Sequence, residues 1–133
     1  MNKVISIINL KGGVAKTVTA VNMAHIMSKY GLRVLLIDND KQGNSTKFYG
    51  LHDEERASIS DVLTVKGFSI RDAIRPTEYE GLHVLPSNMF LLNANKQVLM
   101  DCTRPQQTRL RKALSEVWEE YDFVIIDNAP DLD

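Results

Sequence analysis

The chain has a single cysteine, Cys102, so no intramolecular disulfide can form, and a secreted disulfide scaffold is excluded. No apolar run approaches the roughly 18 residues of a membrane-crossing helix, and no secretory leader opens the sequence. A protein of the cytoplasm, with no membrane contact, is expected. Charge of either sign is not in excess. Sixteen Lys and Arg stand against 17 Asp and Glu, a formal net charge of −1. Bulk charge therefore leaves no nucleic-acid footprint. The three histidines, His25, His52 and His83, lack the spacing of metal ligands. No internal repeat, low-complexity segment or domain linker breaks the 133 residues, a length that suits one domain with a real core.

What is present is alternation. Four short, nearly continuous apolar runs read as buried parallel strands: Val4–Ile8, Val34–Ile37, Leu82–Leu85 and Phe123–Ile126. Helical periodicity lies between them. Ala20, Met23, Ala24 and Met27 repeat at helical spacing within Lys16–Tyr30, and Gly31 closes that helix. Leu110, Ala113, Leu114, Val117, Trp118 and Tyr121 form a stripe over Pro105–Tyr121, with Thr103 and Gln106 as a capping box. Ser58 with Asp61 and Ser69 with Asp72 read as helix starts, and Ser87 or Asn88 caps a helix running toward Met100. Gly43–Glu55 is polar and rich in turn formers, which predicts a mobile surface loop. The expected fold is α/β, with a mostly parallel sheet flanked by helices.

Ligands of open parallel sheets gather at the carboxyl ends of the strands, and three of these ends carry chemistry. The first run leads into Lys11-Gly12-Gly13-Val14-Ala15-Lys16-Thr17, after which a helix begins. A glycine-containing turn between strand and helix presents backbone N–H groups and a positive helix end to a phosphate. Lys16 can reach the terminal phosphates, and the Thr17 hydroxyl can sit on Mg²⁺. The second run delivers Asp38-Asn39-Asp40, and the fourth delivers Asp127-Asn128-Ala129-Pro130. Asp127 after Val124-Ile125-Ile126 has the form of a metal-holding strand-end carboxylate, although alone it could equally cap a turn. Asp38 and Asp40 share a side if the chain stays extended. One can serve the metal shell and the other can orient water, or both can serve the turn itself. The parts needed for phosphoryl transfer are all present.

The phosphate turn departs from the plain Walker A form, with Ala15 and Leu10 where glycines are expected and an extra lysine, Lys11. It resembles the deviant Walker A motif of the ParA/MinD family of ATPases, whose signature lysine stands where Lys11 does. Asp38-Asn39-Asp40-Lys41-Gln42-Gly43-Asn44 resembles that family's Asp-x-Asp-Pro-Gln-Gly-Asn, with Lys41 for proline. Gln42-Gly43-Asn44-Ser45-Thr46, Ile59-Ser60-Asp61-Val62-Leu63, Ala73-Ile74-Arg75-Pro76-Thr77, Val84-Leu85-Pro86-Ser87-Asn88 and Tyr121 through Asp127 resemble the ParA/Soj partition branch.

The resemblance implies a P-loop ATPase that uses ATP and Mg²⁺ for chromosome or plasmid partition. Residues 11–18 (Lys11, Gly12, Gly13, Val14, Ala15, Lys16, Thr17 and Val18) would bind nucleotide. Thr17, Asp38 and Asp127 would hold the metal. Lys11, acting across a two-fold interface, would join Lys16 and Asp40 in catalysis, with Asp40 positioning water. It further implies an ATP-driven homodimer, stimulation by a ParB-type partner, and non-specific DNA binding through segments beyond residue 133. ParA-type ATPases run about twice this length, so the chain is expected to be the N-terminal part of a longer family domain. Val18 replaces a threonine and keeps only its backbone N–H as a donor. If position 15 needs positive φ, Ala15 costs on the order of 1 kcal/mol. Ala15, Val18 and the abrupt end after Asp127 together motivate an alternative: a regulatory or non-catalytic nucleotide-binding module. A reductase of the nitrogenase iron-protein type would need cluster cysteines, which are lacking.

Overall fold

The computed structural model of the chain describes residues 3–7, 13–88 and 106–129. Five strands form one sheet in the order β1-β5-β2-β4-β3. They are β1 (Val4–Ile7), β2 (Val34–Asn39), β3 (Arg75–Pro76), β4 (Leu82–Leu85) and β5 (Phe123–Asn128). β1, β5, β2 and β4 run parallel, and β3 pairs antiparallel with β4 at the edge. The helices are α1 (Gly13–Lys29), α2 (Asn44–Phe48), α3 (Ile59–Thr64) and α4 (Gln106–Ser115). Short 3-10 turns occupy Ile70–Asp72 and Trp118–Glu120.

The strands form because both of their faces are covered. In β2, Leu35 and Ile37 join a core with Ile59, Leu63, Leu110 and Leu114 from α3 and α4. The alternate residues Val34 and Leu36 join a second core with Ala20, Val21 and Ala24 of α1. This two-residue period explains the continuous apolar runs. It also fixes where the strand-end carboxylates point. Asp38 continues the Val34–Leu36 series, and Asp127 continues the series of Ile125, which lies in the same α1-side core. Both acids therefore face α1. Alanines at positions 20 and 24, fully buried, let that helix lie close on the sheet.

The central strands run two residues further than the apolar pattern indicates. β2 and β5 pair in register through Asp38↔Asp127 and Asn39↔Asn128. The added pair is held by Asn39 Nδ2 donating to Asn128 Oδ1 at 3.0 Å. α1 begins at Gly13, earlier than its periodicity suggests, and Gly31 follows it at φ 83°. At Ser58 the capping box forms in full, with Asp61 reciprocating. Ser69 caps a single 3-10 turn, and the stripe ending at Tyr121 is split between α4 and a second such turn.

One expectation is corrected. The segment Gly43–Glu55 is not a loop throughout, because α2 forms within it and buries Ser45 and Thr46. Gly43 enters this helix in the left-handed region at φ 66°, and Asp38 accepts bonds from the Thr46 backbone and hydroxyl. Those partners are distant in sequence, so local polarity does not reveal them. The helix expected between Asn88 and Met100 lies outside the described residues, as does Thr103 of the expected capping box.

Candidate functional site

The site lies at the carboxyl ends of β1, β5 and β2, where α1 begins. Gly13, Val14, Ala15 and Lys16 make the first turn of this 17-residue helix. Its opening N–H groups have no partners further back in the helix, and the helix dipole adds positive charge. Lys11 and Gly12 lie outside the described residues. No described non-glycine residue has positive φ. Ala15 lies in the first turn of α1, so its backbone is helical and does not take the positive φ considered for it. Val18 leaves half of its surface exposed (51 %), so packing does not account for it.

Thr17 is buried and directs its hydroxyl toward Asp127, with Oγ1 to Oδ2 at 3.5 Å. The same carboxylate oxygen accepts a bond from the Ser45 hydroxyl. Asp127 thus gathers groups from α1 and α2 onto the end of β5. Its neighbour in register, Asp38, is fully buried. Asp38 Oδ2 accepts from Thr46 N at 2.9 Å and Thr46 Oγ1 at 2.6 Å, while Oδ1 accepts from Asp40 N at 3.2 Å. Burial pushes its carboxyl up to about 6, against the opposing pull of the Thr46 bonds, and the charge of Asp127 adds to the rise.

Asp40 follows β2 and is also buried. Its Oδ1 accepts from Gln42 N at 3.0 Å, and its carbonyl accepts from Gly43 N at 2.9 Å. Ser87, past the end of β4, donates its hydroxyl to the Asp40 carbonyl at 2.8 Å and its N–H to Thr46 Oγ1 at 2.9 Å. The structure thus brings Thr17, Asp38, Asp40 and Asp127 together, with the Lys16 turn beside them. Sequence reading missed the supporting hydroxyls of Ser45, Thr46 and Ser87. They belong to the segments Gln42–Thr46 and Val84–Asn88, singled out only for their resemblance. Nothing in a polar window says which carboxylate a hydroxyl will reach.

Hard oxygen donors of this kind suit Mg²⁺. That ion takes one or two protein carboxylates and draws its other ligands from water and phosphate. Among the described residues no cluster of three or more His, Cys, Asp or Glu could hold a metal alone. The histidines are engaged elsewhere: His52 pairs with Glu54 at 3.0 Å, His83 bonds the Tyr121 hydroxyl at 2.9 Å, and His25 meets Tyr79 edge-on. No described helix is long and apolar enough to cross a membrane.

The chain is similar to known proteins along its whole length. A family model described as an AAA domain matches residues 2–133. The sporulation initiation inhibitor protein Soj of Bacillus subtilis is 38 % identical over 133 residues, 99 % of this chain and 51 % of that protein. The chromosome partitioning protein ParA of Myxococcus xanthus is 34 % identical, over 99 % of this chain and 46 % of its own. The chain thus spans about half the length of the curated relatives it matches. Among solved structures, a cobyrinic acid a,c-diamide synthase from Mycobacterium smegmatis, with bound ATP analog and magnesium, superposes at a TM-score of 0.87. It is 34 % identical, over 98 % of this chain and 52 % of that one.

Proposed function

The chain belongs to the AAA domain family, with Soj- and ParA-type partition proteins among its relatives, and on that premise we propose that it binds Mg²⁺-ATP and hydrolyses it as a partition switch. The observation that carries this reading is the convergence of the α1 N-terminus, Thr17 and Asp127 at the ends of adjacent parallel strands. A triphosphate laid there meets the opening amide N–H groups of α1, a positive helix end and the Lys16 turn. A fold of this class hosts many chemistries, so the site and not the fold carries the claim.

In this reading residues 11–18 cradle the phosphates. Thr17 and Asp127 hold magnesium, with Asp38 beside Asp127 in the outer part of the set. Magnesium supplies charge neutralisation at the phosphates when bound. Asp40 orients the attacking water, the role that the family resemblance implies for it; it is buried at the turn that follows β2, and Ser87 and Gly43 hold its backbone. Lys11 acts on the nucleotide of a second copy, in the manner of an arginine finger supplied in trans. The ATP-loaded form is a homodimer that engages non-specific DNA and a ParB-type stimulatory partner. Ala15 lies within helical backbone, which removes one of the three grounds for a non-catalytic module.

Phosphate release from ATP by the wild-type chain and by Asp40→Ala tests the proposal. Asp40→Ala is expected to bind ATP within about twofold of wild type and to lose turnover by on the order of a hundredfold. Turnover by Asp40→Ala at the wild-type rate rejects the role given to Asp40.

A further inference from the structure

We infer that Ser45 is a positioning residue for the metal: it aims the Asp127 carboxylate and locks the metal site to the turn bearing Asp40. This rests on the Mg²⁺-nucleotide reading given above.

Ser45 is fully buried in α2, and its hydroxyl donates to Asp127 Oδ2. That oxygen is also the one nearest Thr17 Oγ1, at 3.5 Å. A fixed donor on one carboxylate oxygen restrains rotation about the last bond of the side chain. Such outer partners orient metal-holding groups, and losing one typically costs 10–100-fold in metal affinity.

α2 is itself anchored at the next residue. Thr46 donates through both N–H and hydroxyl to Asp38, and its hydroxyl oxygen accepts the Ser87 N–H. Ser87 in turn bonds the Asp40 carbonyl at 2.8 Å. A single short helix therefore touches Asp127 through Ser45 and reaches the Asp40 turn through Thr46 and Ser87. The arrangement couples metal placement to the group proposed to orient water.

Calorimetric titration of ADP, with and without Mg²⁺, separates these roles. The full chain is compared with Ser45→Ala, Asp127→Asn and the double variant. Ser45→Ala is expected to forfeit about 10–100-fold of the Mg²⁺-dependent gain in affinity, as for other outer-shell losses. Its affinity for metal-free ADP stays within about twofold of wild type. In the Asp127→Asn background the same change has no further effect, because Ser45 acts through Asp127. Should Ser45→Ala fail to fold, Ser45→Cys, with only a weak S–H donor, carries the same expectation.

The inference is overturned if Ser45→Ala keeps the full Mg²⁺ gain while Asp127→Asn loses it. It is equally overturned if affinity falls alike with and without metal. A wild-type chain that binds ADP no better with Mg²⁺ than without overturns the nucleotide reading itself, and the inference with it.

Discussion

Asp38 is the residue whose role changes most between sequence and structure. Read along the chain, it is half of an Asp-x-Asp pair whose two carboxylates share a side. In the folded protein its oxygens are taken by Thr46 and by the Asp40 N–H, so it organises the turn from which Asp40 projects. The spacing was legible because acids after a buried strand are conspicuous. The division of labour was not, because it depends on hydroxyls that reach across the fold. Burial raises the Asp38 carboxyl to about 6, so the folded state holds a proton there that the unfolded chain releases near 4. The sign follows from proton counting. Asp38 favours folding most below the unfolded value, and that contribution is lost as pH rises through about 6. Without ligand, carboxyl NMR of the chain is expected to show Asp38 titrating near 6. Replacing it with Asn is expected to flatten the fall in stability between about pH 4 and 6. An unshifted Asp38 midpoint contradicts the buried geometry.

At the scale of elements, the apolar period and the caps did most of the work. The four parallel strands and α1 follow from runs that must be buried on both sides or on one stripe. Ser58 and Asp61 announce α3 through a reciprocal cap that needs only four residues of sequence. α2 was illegible for the opposite reason. It has no apolar stripe and starts from Gly43 at φ 66°, and its partners come from β2 and β5. β3 was missed because two residues on an edge carry no period. The contrast predicts two kinds of mutant. Ser58→Ala is expected to cost about 1 kcal/mol in denaturant unfolding, with nucleotide affinity unchanged. Gly43→Ala, forced into the left-handed region, is expected to cost a similar 1–2 kcal/mol. It should also weaken Mg²⁺-nucleotide binding, because it strains the start of the helix that holds Ser45. Equal nucleotide affinities in the two variants would contradict the placement of α2 at the site.

Among the described residues the molecule is a mostly parallel sheet whose central strands are covered on both faces, with the candidate site at the carboxyl ends of β1, β5 and β2. Strand order places β5 between β1 and β2, and this order, which no local pattern encodes, sets Asp127 beside Asp38 and opposite Thr17. If that site binds ATP as proposed, two copies sharing nucleotides should form only in the loaded state. Light scattering of Asp40→Ala with Mg²⁺-ATP should then show about twice the monomer mass. A mass unchanged by ATP would count against the paired form. The central claim is more basic: the turn that opens α1 grips a nucleoside triphosphate. Titration calorimetry of Mg²⁺-ATP into the wild-type chain and into Lys16→Ala tests it directly. Saturable one-site binding that Lys16→Ala abolishes is expected. A wild-type chain that takes up no ATP, or a Lys16→Ala chain that binds it as well as wild type, would contradict it.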